Sequence, residues 1–312
     1  MSKTKSIIFL ILFLGLVQFC FSQVQTYQLT PNTDTIRVIQ IINATSLRQI
    51  TVNDSTVLET LAGNAKVSQG NTILEGDSIV IDKRLGIAEV FGNVHINDAD
   101  TVNTYAQYLK YIGNTQIAYL KNKVRLSDGK AQLFTDDLEY NLKTGIATYK
   151  NGGKVINDKT VLTSNEATYY SDTKDAFFKN NVHLVDPKYN MVTDSLRYNT
   201  AFKNVYFISK TNIKTGNGTI DTKSGTYNLS TGEAIFFDKT IIRDSSRYIS
   251  GNKVAFDEKS NSIQIEDNGK FVDSANKVIV LGNQILIDKK HSTIVFESIK
   301  FILYRERESI CI

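Results

Sequence analysis

Apolar and polar residues alternate along most of this chain, and the alternation itself recurs. In the stretch 122–150, NKVRLSDGKAQLFTDDLEYNLKTGIATYK, Val124-x-Leu126 and Leu138-x-Tyr140 each place apolar side chains two residues apart. That period puts one face of an extended strand inside and the other in water. Between Tyr140 and Ala147, Asn141-Leu142-Lys143-Thr144-Gly145 supplies turn formers and a glycine free to take positive φ. The pattern predicts strand, tight turn, strand.

Tyr140 and Ala147 anchor one copy of a repeat. The same pair recurs as Ile81/Ala88, Tyr111/Ala118, Tyr169/Ala176, Tyr198/Val205, Tyr227/Ala234, Phe256/Ile263 and Ile287/Ile294. Successive first anchors are 30, 29, 29, 29, 29, 29 and 31 residues apart, by subtraction of their numbers. Eight copies at so fixed a period mark a repeat architecture, nearly all β. The small residue at the second anchor is read as a corner too tight for a larger side chain.

Two polar columns run through the copies. One closes the strand that follows each second anchor: Asp98, Asp128, Asn157, Asp186, Thr215, Asp244 and Asp273. The other stands four residues before each first anchor: Asp77, Gln107, Asp136, Asn165, Asp194, Lys223, Asn252 and Asn283. In a flat strand this second column would share the inward parity of Leu138 and Tyr140. Burying an unpaired carboxylate is costly, so the column predicts a bend or bulge at each position.

The ends differ from the middle. Lys3 and Lys5, the apolar run Ile7 to Val17 and Cys20-Phe21-Ser22 before Gln23 have the layout of a cleaved export signal over 1–22. The competing lipoprotein reading would acylate Cys20, but the bulky Phe19 precedes it where such sites want a small residue. After cleavage a single cysteine, Cys311, remains, so no disulfide framework forms within one chain. Residues 23–61 carry a degraded pattern, the expected capping repeat of a stack, and 62–297 hold the regular copies. The stretch from 298 to 312, SIKFILYRERESICI, follows no column and is read as an irregular tail.

Composition narrows function by exclusion. Net charge is +4, or about +2 without Lys3 and Lys5 (34 basic against 32 acidic), which calls for no nucleic-acid partner. His95 and His183 share one solvent-side column and His291 lies elsewhere, with no metal-ligand spacing. The aspartate columns lack the glycine-rich nonapeptide of stacked calcium sites and fit turn and ladder roles. Asn151-Gly152-Gly153 and Gly216-Asn217-Gly218 precede no helical pattern and are turns. No catalytic residue, cofactor site or metal site is assigned.

Gly92-Asn93-Val94-His95-Ile96, Thr135-Asp136-Asp137-Leu138-Glu139-Tyr140-Asn141 and Thr193-Asp194-Ser195-Leu196-Arg197-Tyr198-Asn199 resemble the OstA/LptA family of lipopolysaccharide-transport proteins, in particular its longer OstA-like branch of Bacteroidetes type. The likeness spans roughly 41–297, and its specificity lies in the order and spacing of motifs that are each weak. It implies an elongated, twisted β-jellyroll whose two sheets enclose a greasy groove for lipid A acyl chains. It also implies a periplasmic protein, with outer-membrane association as a variant, that is not an enzyme. The partners it implies are lipopolysaccharide and the jellyroll domains of other transport components, or a second copy, by edge-strand pairing.

On that reading, parity assigns Ile79, Ile81, Leu109, Tyr111, Leu138, Tyr140, Leu196 and Tyr198 to one wall of the groove. Val94, Ile96, Val124, Leu126, Val182 and Leu184 form the other. The chain departs from the family pattern in its irregular end, and no membrane barrel follows. Two other classes fit the same repeat: a structural or adhesive β-repeat protein without cargo, for instance a parallel β-helix, and a β-helical enzyme acting on saccharide. The Tyr-to-Ala turn favours hairpins over the β-helix. An enzyme should break its repeat where catalytic residues sit, and here the aspartates follow it.

Overall fold

The structure, a computed structural model, describes residues 40–304 apart from 54–55, 70, 99–101, 128, 130, 158, 188, 258 and 289–292. The expected leader 1–22, Cys20, Cys311 and residues 305–312 lie outside the described residues. Among the described residues the regular structure is β throughout. The first strands are β1 (Gln40–Asn43), β2 (Ser46–Asn53), β3 (Thr56–Gln69), β4 (Thr72–Asp82), β5 (Ile87–Asp98), β6 (Val102–Ile112), β7 (Ile117–Ser127), β8 (Ala131–Asn141), β9 (Ile146–Tyr149), β10 (Gly153–Asn157), β11 (Thr160–Ser164) and β12 (Glu166–Tyr170). Then come β13 (Asp175–Val185), β14 (Tyr189–Asn199), β15 (Asn204–Phe207), β16 (Thr211–Thr215), β17 (Gly218–Thr222), β18 (Ser224–Asn228), β19 (Glu233–Asp244), β20 (Arg247–Asp257), β21 (Ser262–Asp273), β22 (Val278–Asp288) and β23 (Thr293–Tyr304).

These strands form two compact units. One comprises residues 40–157 and 165–175, the other 159–164 and 176–304. In the first, β3 to β8 pair in chain order, β1 and β2 both pair with β3, and β9 and β10 both pair with β8. In the second, β14 pairs with β15 and β16, β17 and β18 lead to β19, and β19 to β23 continue in order. All of these pairings are antiparallel, which overturns the parallel β-helix alternative. The hairpin turns between the anchors are local enough to dictate this: Lys143 N and Thr144 N both donate to Asn141 Oδ1 at 3.0 Å. The strand β3 runs unbroken across position 61, and β23 extends through 298–304, so the ladder continues into the stretch read as an irregular tail.

The anchors are cross-strand partners. Ile81, Ala88, Tyr111, Ala118, Tyr140, Ala147 and Tyr169 form one continuous row in the first unit. Tyr198, Val205, Tyr227, Ala234, Phe256, Ile263 and Ile287 form its counterpart in the second. This corrects the reading of the alanines as tight corners: each lies within a strand, between two larger neighbours that fill the space above it. A small residue beside a large one keeps the row level.

Each long ladder breaks at the same depth. Registers shift between Glu75 and Ser78, Phe91 and Val94, Tyr105 and Tyr108, and Lys121 and Val124. On one strand of each pair two successive residues enter the left-handed region, as in Gly92 (φ 66) and Asn93 (φ 46), or Asn180 and Asn181 (both 61). On the other strand stands the second polar column. All eight of its residues, from Asp77 to Asn283, are exposed, so the bend rotates them out of the inward parity that a flat strand would give. Asn93 Nδ2 donates to both Asp77 oxygens at 3.0 and 3.2 Å, and Lys123 N donates to Asp136 Oδ1 at 3.3 Å.

The bend folds each long strand into two half-strands, so each unit has two half-sheets facing one another. In the first unit Leu61, Ile79, Val90, Leu109, Leu120 and Leu138 form a row on one half-sheet. Val67, Leu74, Ile96, Thr104, Leu126, Leu133 and Val155 form a row on the other. Members of both rows meet in a single core. In the second unit Thr193, Thr211, Thr222 and Thr240 line the bend, all buried. Their hydroxyls bond to one another at 2.9 Å and to carbonyls near the break, such as Ser209 O and Ser224 O. They satisfy backbone groups that an unbroken ladder would have paired.

A Cβ on Gly92 would lie 2.1 Å from Asp77 Oδ2, in a backbone conformation that already disfavours side chains. Gly129 has a similar φ of +83 with nothing within 4 Å. Urea denaturation should show Gly129→Ala losing about 1–2 kcal/mol and Gly92→Ala roughly 1–3 kcal/mol more. Equal losses would mean that the bend does not depend on this contact.

Candidate functional site

Inner residues beside the bend are sealed, and several of those nearer the hairpin turns are half-open. Nearest it, Ile79 and Val182 are 0% exposed and Val94 and Val124 are 1%. Leu109, Leu126, Leu138 and Leu196 are also buried. Towards the hairpin turns, Ile81, Ile96, Tyr111, Tyr140 and Leu184 are half-buried, while Tyr198 is buried. Of the fourteen residues assigned from parity, the structure brings Ile79, Ile81, Val94, Ile96, Leu109, Val124, Leu126 and Leu138 into one core in the first unit. Val182, Leu184, Leu196 and Tyr198 belong to the second unit, where Leu184 pairs with Leu162. These residues are all buried or half-buried, and their depth was not legible from parity. The residues nearest the bend are sealed by one another, so a bound chain would meet the rim rows first.

Aromatic packing fills the deeper rows of the second unit. Leu196, Phe207, Gly225, Phe236, Val254, Ile265 and Ile285 are successive cross-strand partners. A Cβ on Gly225 would lie 2.5 Å from Ile235 O, and without one the Phe207 and Phe236 rings approach to 5.8 Å. Facing them, Met191, Ile213, Ile220, Ile242, Ile249, Phe271 and Val280 form the apolar row of the other half-sheet. Beyond Met191 towards the rim, with the same parity, stands Tyr189. The column reading missed it, although its two-residue spacing from Met191 was there to find.

The outer faces are occupied by their own partners. Lys66, Glu75, His95, Tyr105, Arg125, Phe134 and Lys154 are successive cross-strand neighbours on one half-sheet of the first unit. Lys66 Nζ lies 2.7 Å from Glu75, and the His95 and Tyr105 rings stack at 4.7 Å and 5°. Arg125 covers the Tyr105 ring at 5.4 Å and Lys154 the Phe134 ring at 5.2 Å. On the other half-sheet the Tyr108 phenol donates to Glu89, and burial, followed by the carboxylate, pushes it up to about 12. No motif announced this ladder, because its members lie alternately about 10 and 20 residues apart and only the register aligns them.

The remaining polar candidates have structural partners. His95 Nε2 meets Asn103 Oδ1 at 2.8 Å, and His183 Nε2 meets Asn181 Oδ1 at 2.7 Å. Of the strand-ending column, Asp244 Oδ1 accepts from Ser246 N and Arg247 N, and Asp273 Oδ1 accepts from Asn276 N. These carboxylates cap turns.

The Lys66 ammonium holds the Glu75 carboxyl below its ordinary value, with His95 adding to the effect. A depressed folded pKa contributes stability above the unfolded pKa and loses it as pH falls through the folded one. Lys66→Met should therefore cost under about 1 kcal/mol at neutral pH. In urea titrations across pH, its deficit against wild type should shrink as pH falls through the carboxylate range. A deficit independent of pH would assign the effect to the lysine stem.

Comparison with known proteins adds an independent line. Residues 37–194, half of the chain, match the family model described as OstA-like protein. Among solved structures the chain is similar to LptH, the LptA-homologous periplasmic component of the lipopolysaccharide transport device of Pseudomonas aeruginosa. Identity is 16% and the TM-score 0.31, over 36% of this chain and 80% of that one. No curated protein matches.

Proposed function

This chain belongs to the OstA-like protein family, and from that membership we propose that it is a lipopolysaccharide-transport protein whose apolar interior carries acyl chains. The observation that carries the proposal is the contrast between faces. In the first unit the inner rows are apolar and half-open at Ile81, Ile96, Tyr111 and Tyr140, whereas the outer row from Lys66 to Lys154 carries an ion pair, stacked rings and cations over rings. Acyl chains leaving water for such an interior gain about 0.8 kcal/mol per buried CH₂. Chains enter at the half-buried rim residues Ile81, Ile96, Tyr111 and Tyr140, and reach the deeper rows only as the half-sheets part. The reading is non-enzymatic: Asp244 and Asp273 cap turns, and Asp77 and Asp136 stand at the bends.

Transport across a gap needs neighbours. Among the described residues β2 pairs with β3 alone and β23 with β22 alone, so each presents a free edge. Leu47 and Val52 on β2 are both 58% exposed. A second copy, or the jellyroll of another transport component, adds its strand there and continues the interior, making the protein one segment of a bridge between membranes. Export to the periplasm follows from the leader, and N-terminal sequencing of the exported protein should begin at Gln23. An intact leader or an acylated Cys20 would overturn that part.

Photo-crosslinkers at Tyr140 and Ile96 should capture lipopolysaccharide in cells, and those at Glu139 and Lys110, on outer rows, should not. Capture from both faces alike, or from neither in folded protein, would leave a structural β-repeat without cargo.

A further inference from the structure

Five successive copies carry tyrosine at the first anchor, Tyr111, Tyr140, Tyr169, Tyr198 and Tyr227, between Ile81 on one side and Phe256 and Ile287 on the other. A position that needed only volume is served by phenylalanine or isoleucine, as the flanking copies show. The hydroxyl is therefore the feature to explain. At Tyr198 it is buried: the residue is 4% exposed and its Oη meets no hydrogen-bond partner. Thr200, 5% exposed, buries its Oγ1 in the same condition. Native structures rarely leave buried donors unpaired, and those that do repay an explanation.

The surroundings identify the acceptor. The strand β14 bends between its ends, so Tyr189 and Tyr198, both of inner parity, stand near opposite rims of the same interior. The phenols of Tyr198 and Tyr227 lie within electrostatic reach of Tyr189, as does the Asp186 carboxylate. Beneath them are the apolar rows through Leu196 and Met191. Burial pushes the Tyr198 phenol above its ordinary value, so it remains a donor at physiological pH. Asp186 is itself buried and accepts from Thr160 Oγ1 at 2.6 Å, and its charge disfavours a phosphate nearby. A neutral carbonyl oxygen fits.

We propose that Tyr198, with Thr200 and Tyr189, donates hydrogen bonds to the ester or amide carbonyls that join acyl chains to a sugar. Chains lie on the apolar rows while the phenols mark the depth at which the head group begins, the arrangement tyrosine suits with one end apolar and the other polar. This rests on the acyl-chain reading above, and it adds selectivity for the linkage to that reading.

The test compares two probes of equal chain length, an N-acylglucosamine and an alkyl glucoside, with wild type, Tyr198→Phe and Tyr189→Phe. Binding is followed by displacement of a fluorescent lipid from the full chain. Wild type should bind both. Tyr198→Phe should weaken the N-acyl probe about fivefold to tenfold and leave the alkyl glucoside unchanged, with a smaller loss of the same selectivity in Tyr189→Phe. The melting temperature of Tyr198→Phe should not fall, because the lost hydroxyl has no partner in the folded chain. Equal affinities of wild type and Tyr198→Phe for the N-acyl probe, or equal losses for both probes, would overturn the carbonyl assignment while leaving the groove. Binding of neither probe by wild type would remove the groove reading itself.

Discussion

The structure depends on an interruption. At a fixed depth in each long ladder two residues of one strand turn left-handed and the register slips past them. Without that break the alternating strands would make flat hairpins with one greasy face open to water. With it, each strand folds back on itself and its apolar residues meet. The break exposes backbone groups, and its neighbours answer for them: Asp136 accepts from Lys123 N in one copy, and Thr211 and Thr222 of the hydroxyl row donate to Ser209 O and Ser224 O in later ones. Small residues accompany them at the turning point, as in the pairs of Ala65 with Gly76 and Val94 with Ala106. Two half-sheets close to a fold line leave little room there.

Size alternation does for the rows what the bend does for the sheets. Tyrosine between alanines, and Phe207 and Phe236 either side of Gly225, keep the interior surface even despite the bulk of the rings. Interiors are packed to near-crystalline density, so bulk on one strand must be balanced by its absence on the next. The balance holds at the depth of the bend and loosens towards the turns. Burial consequently varies along each strand.

Polarity is divided just as consistently. The outer row from Lys66 to Lys154 places charges on each other and on ring faces, while the inner rows are apolar. The phenols at the first anchors stand between these regimes. In the second unit one of them is buried deeply enough to need a partner the chain does not itself supply. The proposed lipid carriage and the proposed recognition of its polar linkage thus draw on the same row.

Much of this was determined by the sequence alone. The period of two gave the strands and their inward faces, the anchors gave antiparallel hairpins, and the conflict between parity and charge at Asp77, Asp136 and Asp194 predicted the bends. Each is a local property, fixed within a few residues by backbone geometry and the cost of burying a carboxylate. Which inner residues are sealed and which half-open, that alanine answers a tyrosine on the next strand, and that Lys66 to Lys154 stack into one ladder were settled only by tertiary structure. Those relations join residues on separate strands, and it is register across the bends, a product of the whole ladder, that brings them into contact.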